Sequence, residues 1–287
     1  MKHAFSRRAP PRARPGRQRG ITLIEILVGL TIGLLIIAVA LGAVLVSRQL
    51  SSSTSEAARL QQQAAYALRI IGQQVRQAGA LRLDLANGRT PPATGFLTLD
   101  PAEPVAFDAT FLRATQTLAS STARPLQTGY AFYLEQLTSN SSVPAGQMRD
   151  CLGSTPSGTL VQSAFFLHRP AGAPSGELRC AGSKSREGAQ ALIADVADFQ
   201  VSWLRERSVL GEPVVDRVDA STAAASWPSV QAVEVCLEMV GTDVIDTGNT
   251  TYRPCGWTPG NAETPRGNRL RLVYRSTFQL RTQGALE

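Results

Sequence analysis

Read only for apolar and polar positions, the chain changes period along its length. From Ile26 to Val46 there is no charge and no proline. At about 1.5 Å of rise per residue such a run covers the roughly 30 Å of a bilayer's hydrocarbon, and it predicts a membrane-spanning helix. From Ala57 onward, Leu60, Ala64, Leu68, Ile71, Val75 and Ala78 recur at steps of three and four, with Glu56, Arg59, Gln61, Gln62, Gln73, Gln74 and Arg76 assigned to the opposite, polar face. That spacing predicts an amphipathic helix whose apolar stripe packs under a sheet. No proline falls between Pro15 and Pro91, so the two helical stretches read as one, with Gly79 as its C-terminal stop.

Past Asn87-Gly88 the pattern breaks into short runs separated by Ser, Thr, Pro and Gly. Candidate strands are Val105 to Leu112, Tyr130 to Leu137, Leu160 to His168, Phe199 to Leu204, Val230 to Val240 and Leu270 to Leu280. Two alternate clearly. Val233, Val235, Leu237 and Met239 share a face opposite Glu234, Cys236 and Glu238; Leu270, Leu272, Tyr274, Phe278 and Leu280 share a face opposite Arg271, Arg275 and Gln279. Both read as antiparallel strands with one wet face. The expected fold class is therefore α+β, a long N-terminal helix laid against an antiparallel sheet domain.

Composition changes this picture at one point. The formal charge of +7 and the high pI would ordinarily raise nucleic acid as a partner. Yet Lys2, Arg7, Arg8, Arg12, Arg14, Arg17 and Arg19 account for all of it, and the rest of the chain is formally neutral. A basic arm before an apolar run holds the N-terminus in the cytoplasm, so the remainder is exported. Cys151, Cys180, Cys236 and Cys255 all lie in that exported part, where an even count favours disulfides. Three connectivities exist. The sequential one is expected, Cys151 with Cys180 and Cys236 with Cys255, because a wet-face Cys236 reaches the following loop more readily than the core. Each closed loop would contribute about 3 kcal/mol in the chain-entropy model.

Between arm and helix stands Gly20-Ile21-Thr22-Leu23-Ile24-Glu25. A carboxylate carried toward the bilayer centre costs about 2.5–3.5 kcal/mol. Two accounts of Glu25 are open on the residues alone. It can stay near the interface at a helix N-terminus, where the macrodipole favours it by about 0.3–1 kcal/mol. Alternatively, a cut between Gly20 and Ile21 creates an amine that meets the carboxylate on a neighbouring copy and sets axial register. Gly29 and Gly33 form a GxxxG spacing that allows close helix approach in lipid.

The stretch RGITLIEILVGLTIG resembles the type III signal of type IV prepilins. Ile21 stands where most members begin the mature chain with phenylalanine, and Gly42 where major pilins often carry proline. The resemblance implies cleavage after Gly20 by a prepilin peptidase, methylation of the Ile21 amine, and a role for Glu25 in assembly. Residues 1–20 would then be a removed leader, 21–46 the transmembrane and assembly helix, 47–80 its amphipathic continuation and 81–287 the exported sheet domain. IADVADFQVSWL, VQAVEVCLEMVG and NRLRLVYRSTFQLRT are similar to the C-terminal half of PilW-type minor pilins. That implies a priming or tip complex with other minor pilins, the major pilin and a large tip adhesin, supporting adhesion and twitching motility. The precursor would sit in the inner membrane with a periplasmic domain, and then in the pilus. Two rival expectations are a type II secretion pseudopilin and a secreted protein whose signal peptide is cut after Ala38-Val39-Ala40, leaving Leu41 first.

Chemistry for catalysis is scarce. His3 lies in the arm, which leaves His168, in an apolar run without a motif. The cysteine spacings do not suit zinc knuckles, and there is no phosphate loop, dinucleotide fingerprint or Gly-x-Ser-x-Gly elbow. No enzyme, cofactor or metal is expected. Asp243, Asp246 and Asn249 are oxygen-rich at spacing three but lack the EF-hand pattern, and read as a solvated turn. Arg266, Arg269, Arg271 and Arg275 read as solubilising residues on a wet face, and no nucleic acid is expected.

Overall fold

In the computed structural model, described residues are 20–85, 105–108, 111–133, 146–184, 188–245 and 247–281. The chain divides into two compact units, Met1–Ser52 and Ser53–Glu287. Helix α1, Leu23–Gln77, supplies residues to both. Within the first unit, Leu23–Val44 is long and apolar enough to cross a membrane, and none of it is buried. Its one hydroxyl, Thr31, is satisfied internally by donating to the Val28 carbonyl at 2.9 Å.

The second unit is built on an antiparallel sheet. In chain order its strands are β1 Arg82–Leu85, β2 Val105–Asp108, β3 Leu118–Ala119, β4 Leu126–Ala131, β5 Leu160–His168, β6 Gly176–Ala181, β7 Ala189–Val209, β8 Glu212–Val218, β9 Val230–Val244, β10 Thr251–Tyr252, β11 Thr264–Pro265 and β12 Arg269–Gln279. The main sheet runs β12-β9-β7-β6-β5-β4-β3, with β8 paired to β7. Strands β3 to β7 form a meander, each hydrogen-bonded to the next. Strand β9 then returns antiparallel to the second half of β7. Pairs β1–β2 and β10–β11 stand apart from the main sheet. Short helices α2, Arg113–Gln116, and α3, Ala220–Ala224, fill connections; Asp219 caps α3 by accepting from the Thr222 amide at 2.7 Å.

Helix α1 ends where its glycine allows. Gly79 has φ of 75°, a conformation that costs a side-chained residue more, and its amide donates to the Gly129 carbonyl at 2.8 Å while Ala131 donates back to Ala80 at 2.9 Å. The helix end is thereby stitched to β4. Leu60, Ala64, Ala67, Ile71, Val75 and Ala78 are wholly buried and join Phe165, Leu178, Trp203, Val233, Leu237 and Phe278 in one core. Gly72 permits a close approach of helix and sheet: a Cβ there would lie 2.5 Å from the Phe278 ring.

Several sequence expectations need correction. Glu56 and Gln74, assigned to the polar face, are 6% and 5% exposed. Gln74 is enclosed by polar partners, donating to the Arg149 carbonyl at 3.1 Å and accepting from Ser163 Oγ at 2.9 Å. Cys236 and Glu238, assigned to a wet face, are 2% and 4% exposed, because Tyr252 and Arg271 close over Glu238 and Cys255 bonds Cys236. The Phe199 to Leu204 run is only the middle of a much longer β7. The strand expected from Val105 ends at Asp108, and the one expected from Tyr130 is displaced to Leu126–Ala131; residues 134–137 lie outside the described residues. Strands β6 and β8 were not anticipated: both are short and mix apolar with charged residues.

Candidate functional site at the head of the long helix

Gly20, Ile21 and Thr22 precede the helix in non-helical, exposed backbone, so the Gly20–Ile21 peptide bond lies outside α1. Thr22 occupies the N-cap position and Glu25 the third helical position. Glu25 N–H donates to Thr22 Oγ1 at 3.4 Å, and Thr22 N–H and Oγ1 donate to Glu25 Oε2 at 3.4 Å. These contacts are long, but their reciprocity is that of a capping box, in which a threonine and a glutamate three residues on satisfy each other's free amides. Thr-x-x-Glu was legible in the sequence as this cap. Glu25 therefore has a local partner at the positive end of the helix macrodipole, while its carboxylate stays exposed.

Below this head, no atom of the described residues lies within 4 Å of the position a Cβ would take on Gly29, Gly33 or Gly42. The helix passes through Gly42 without a break.

A second polar centre lies wholly in the sheet unit, at the start of its share of α1. The Glu56 carboxylate accepts from Thr242 N–H at 2.6 Å, Thr242 Oγ1 at 3.2 Å and Asp243 N–H at 3.1 Å. Its other oxygen, Oε2, is buried without a hydrogen-bond partner among the described residues and lies 2.5 Å from where a Cβ on Gly241 would stand. One turn on, Arg59 pairs with Asp195 at 2.5 Å. Asp195 has φ of 62° beside a bulge in β7, and that turn in the backbone carries its carboxylate to the helix. Glu56 and Asp195 thus fasten one stretch of helix to β9 and β7. Neither partner was foreseeable, since both lie far along the chain.

The cysteines are joined Cys151–Cys180 and Cys236–Cys255, with Cα separations of 6.4 Å and 5.7 Å. The four arginines read as solubilising instead hydrogen-bond to β9, to β12 and to the segment between them. Arg271 donates to Glu238 at 2.7 Å, Arg275 to the Pro254 carbonyl at 2.7 Å, Arg269 to the carbonyls of Gly241 and Thr242, and Arg266 to that of Arg271. Tyr252 donates to Glu238 at 2.7 Å. Burial, and then the Glu238 carboxylate, push its phenol up to about 12. Asp243 and Asn249 are exposed, Asp246 lies outside the described residues, and no group of three or more His, Cys, Asp or Glu among the described residues is placed to hold a metal. His168 is exposed at the end of β5.

Residues 15–41 match the family model described as the prokaryotic N-terminal methylation motif. The chain carries a prepilin-type methylation motif. The match takes in Gly20, Ile21, Glu25, Gly29 and Gly33 and ends within the apolar half of α1. Among solved structures the chain is similar to a type IV-like pilin from Thermus thermophilus, at 11% identity and a TM-score of 0.36, over 78% of this chain and 98% of that one. At that level the description of the fold rests on this chain's own helix and sheet. No curated protein matches.

Proposed function

We propose that the chain is a minor type IV pilin of the PilW type. It is made as an inner-membrane precursor with its N-terminus in the cytoplasm, cut after Gly20 by a prepilin peptidase and methylated on Ile21. It then enters the pilus through α1. It works by association rather than catalysis, in a priming or tip complex with other minor pilins, the major pilin and a large tip adhesin, and so supports adhesion and twitching motility.

The observation that carries this reading is the head of α1. The Gly20–Ile21 bond stands in exposed, non-helical backbone, and a carboxylate follows at Glu25 in the first turn of an apolar helix whose length suits a bilayer. A cut there frees an amine near the end of the helix, and a carboxylate on an adjacent copy is its natural counter-ion in a medium of low dielectric. Support for the PilW type is narrower: the three stretches similar to that type, around residues 193–204, 230–241 and 268–282, fall on β7, β9 and β12, which are neighbours in the sheet.

The test is the N-terminus and mass of the processed protein from envelope fractions. Ile21 carrying one methyl group is the expected result, and Leu41 as the first residue would overturn the reading. Deletion then separates machines: loss of surface pili with normal secretion is expected, whereas intact pili with lost secretion would reassign the chain to a secretion pseudopilus.

A further inference from the structure

Along the second half of α1 an open groove of about 540 Å³ lies between the helix, residues 147–153 and the start of β7, all within the sheet unit. Its volume is that of small-ligand clefts, about 300–1,000 Å³. Four exposed glutamines line it from three separate elements: Gln73 and Gln77 on α1, Gln147 on the loop and Gln190 on β7. Tyr66, 47% exposed, and Arg149 complete the polar lining.

The loop wall is held in place from behind. The buried Gln74 side chain and the Tyr130 hydroxyl both donate to the Arg149 carbonyl, at 3.1 and 2.6 Å. Cys151 N–H donates to Ser163 Oγ at 3.0 Å, and the Cys151–Cys180 bond ties the same residues to β6. The carboxylate that could make the groove an ion site is already spent: Asp150 accepts from the amides of Leu152, Ser154 and Ser183 at 2.8–2.9 Å. The one guanidinium donates to the carbonyls of Gly146 and Met148 at 2.6 and 3.0 Å.

What faces a ligand is a set of primary amides, each with two donors and an acceptor, beside an aromatic ring. Phosphate recognition would need clustered arginine or lysine. A divalent cation would need free carboxylates, and a lipid tail an apolar trough. Peptides are taken by strand edges, apolar grooves or charged clamps, whereas the polar groups of this lining are mostly amides, set beside Ile70, Leu152 and Leu192. Hydroxyl groups are donors and acceptors at once, and sugar rings carry C–H faces that lie against tyrosine. We propose that this groove binds an uncharged saccharide, with Tyr66 as the stacking surface and Gln73, Gln77, Gln147 and Gln190 as the hydroxyl-recognising groups. The proposal does not rest on which machine the chain serves.

The full chain, purified in an amine-oxide detergent without sugar headgroups, is titrated into fluorescently labelled maltohexaose, cellohexaose and N-acetylchitohexaose. An oligogalacturonate and a Ser-Gly hexapeptide serve as acidic and peptide comparators. At least one neutral oligomer binds with a Kd of about a millimolar or tighter, and Tyr66→Ala and Gln190→Ala each weaken it by about tenfold. Gln62→Ala, on α1 outside the groove, leaves it unchanged, and thermal unfolding confirms that the variants are folded. Three results would overturn the proposal: no binding of any neutral oligomer, preference for the acidic oligomer or the peptide, or affinities indifferent to both groove substitutions.

Discussion

The first half of α1 exposes its apolar side chains, while the second half buries a stripe of them to the last atom. The two halves also treat a glutamate differently. Among the described residues the Glu25 side chain is exposed and bonded to Thr22 within its own turn; Glu56 is buried and bonded to residues from the far end of β9. The contrast shows where each half finds its stabilisation. Burial of apolar surface is worth about 25 cal/mol per Å², and among the described residues this chain supplies that cover only to the half beside its sheet. The other half is apolar on every side and suits a solvent that is itself apolar. Glu25 is left available for a partner outside the chain, whereas Glu56 is consumed inside it.

The largest effect expected from breaking this contrast is at the head. Gly20→Ala should abolish maturation, leaving the whole precursor uncut by mass, and accumulation of a chain beginning at Ile21 would refute the proposed cleavage. Next come the two carboxylates. Glu56→Ala leaves the Thr242 and Asp243 amides without their charged acceptor and should cost about 2–3 kcal/mol in urea unfolding. Glu25→Ala should leave that unfolding curve unchanged, yet give a cleaved, inserted protein that fails to assemble. Equal losses of stability from both would mean that the two glutamates are not used differently.

The glycines sharpen the same point on a smaller scale. Gly72→Ala places a methyl group 2.5 Å from Phe278 and should destabilise the sheet unit by about 1–3 kcal/mol through overpacking. Gly33→Ala meets nothing within 4 Å, so its effect on the same transition should stay within about 0.5 kcal/mol, with any defect seen only in assembly. A further effect belongs to the sheet side at high pH. Burial pushes the Tyr130 phenol from 10.0 up to about 12. A group raised on folding contributes fully below its unfolded value, so this stability is present below pH 10 and is lost as pH climbs toward 12. Urea midpoints measured across that interval should fall, and Tyr130→Phe should flatten the fall.

Much of the architecture was legible because it is written in short periods. The uncharged run from Ile26, the three-four spacing from Leu60 to Ala78 and the alternation in β9 and β12 each report one local geometry. The candidate site at Gly20, Ile21 and Glu25 is legible for a related reason: it lies within six consecutive residues, and the Thr22–Glu25 cap closes within one turn. Where reading by period failed, the cause was an element arriving from elsewhere. Glu56 and Gln74 are polar by type, yet Glu56 stands four residues before Leu60 and Gln74 three after Ile71, at the edge of the apolar stripe, where β9 and the Arg149 loop meet them with hydrogen-bonding groups. Cys236 and Glu238 alternate away from the core, yet the segment carrying Tyr252 and Cys255 folds across them.

By itself, then, the sequence determined the long helix, its apolar and amphipathic halves, the head with its glutamate and the antiparallel character of the strongest strands. Each of these is signalled by a pattern that spans only a few residues. The tertiary structure alone decided what the buried polar residues bond to, which groups the C-terminal arginines bind, how Asp195 reaches Arg59 and where four glutamines from three elements converge. Those outcomes depend on pairings between residues far apart in the chain, and neither local periodicity nor composition encodes them.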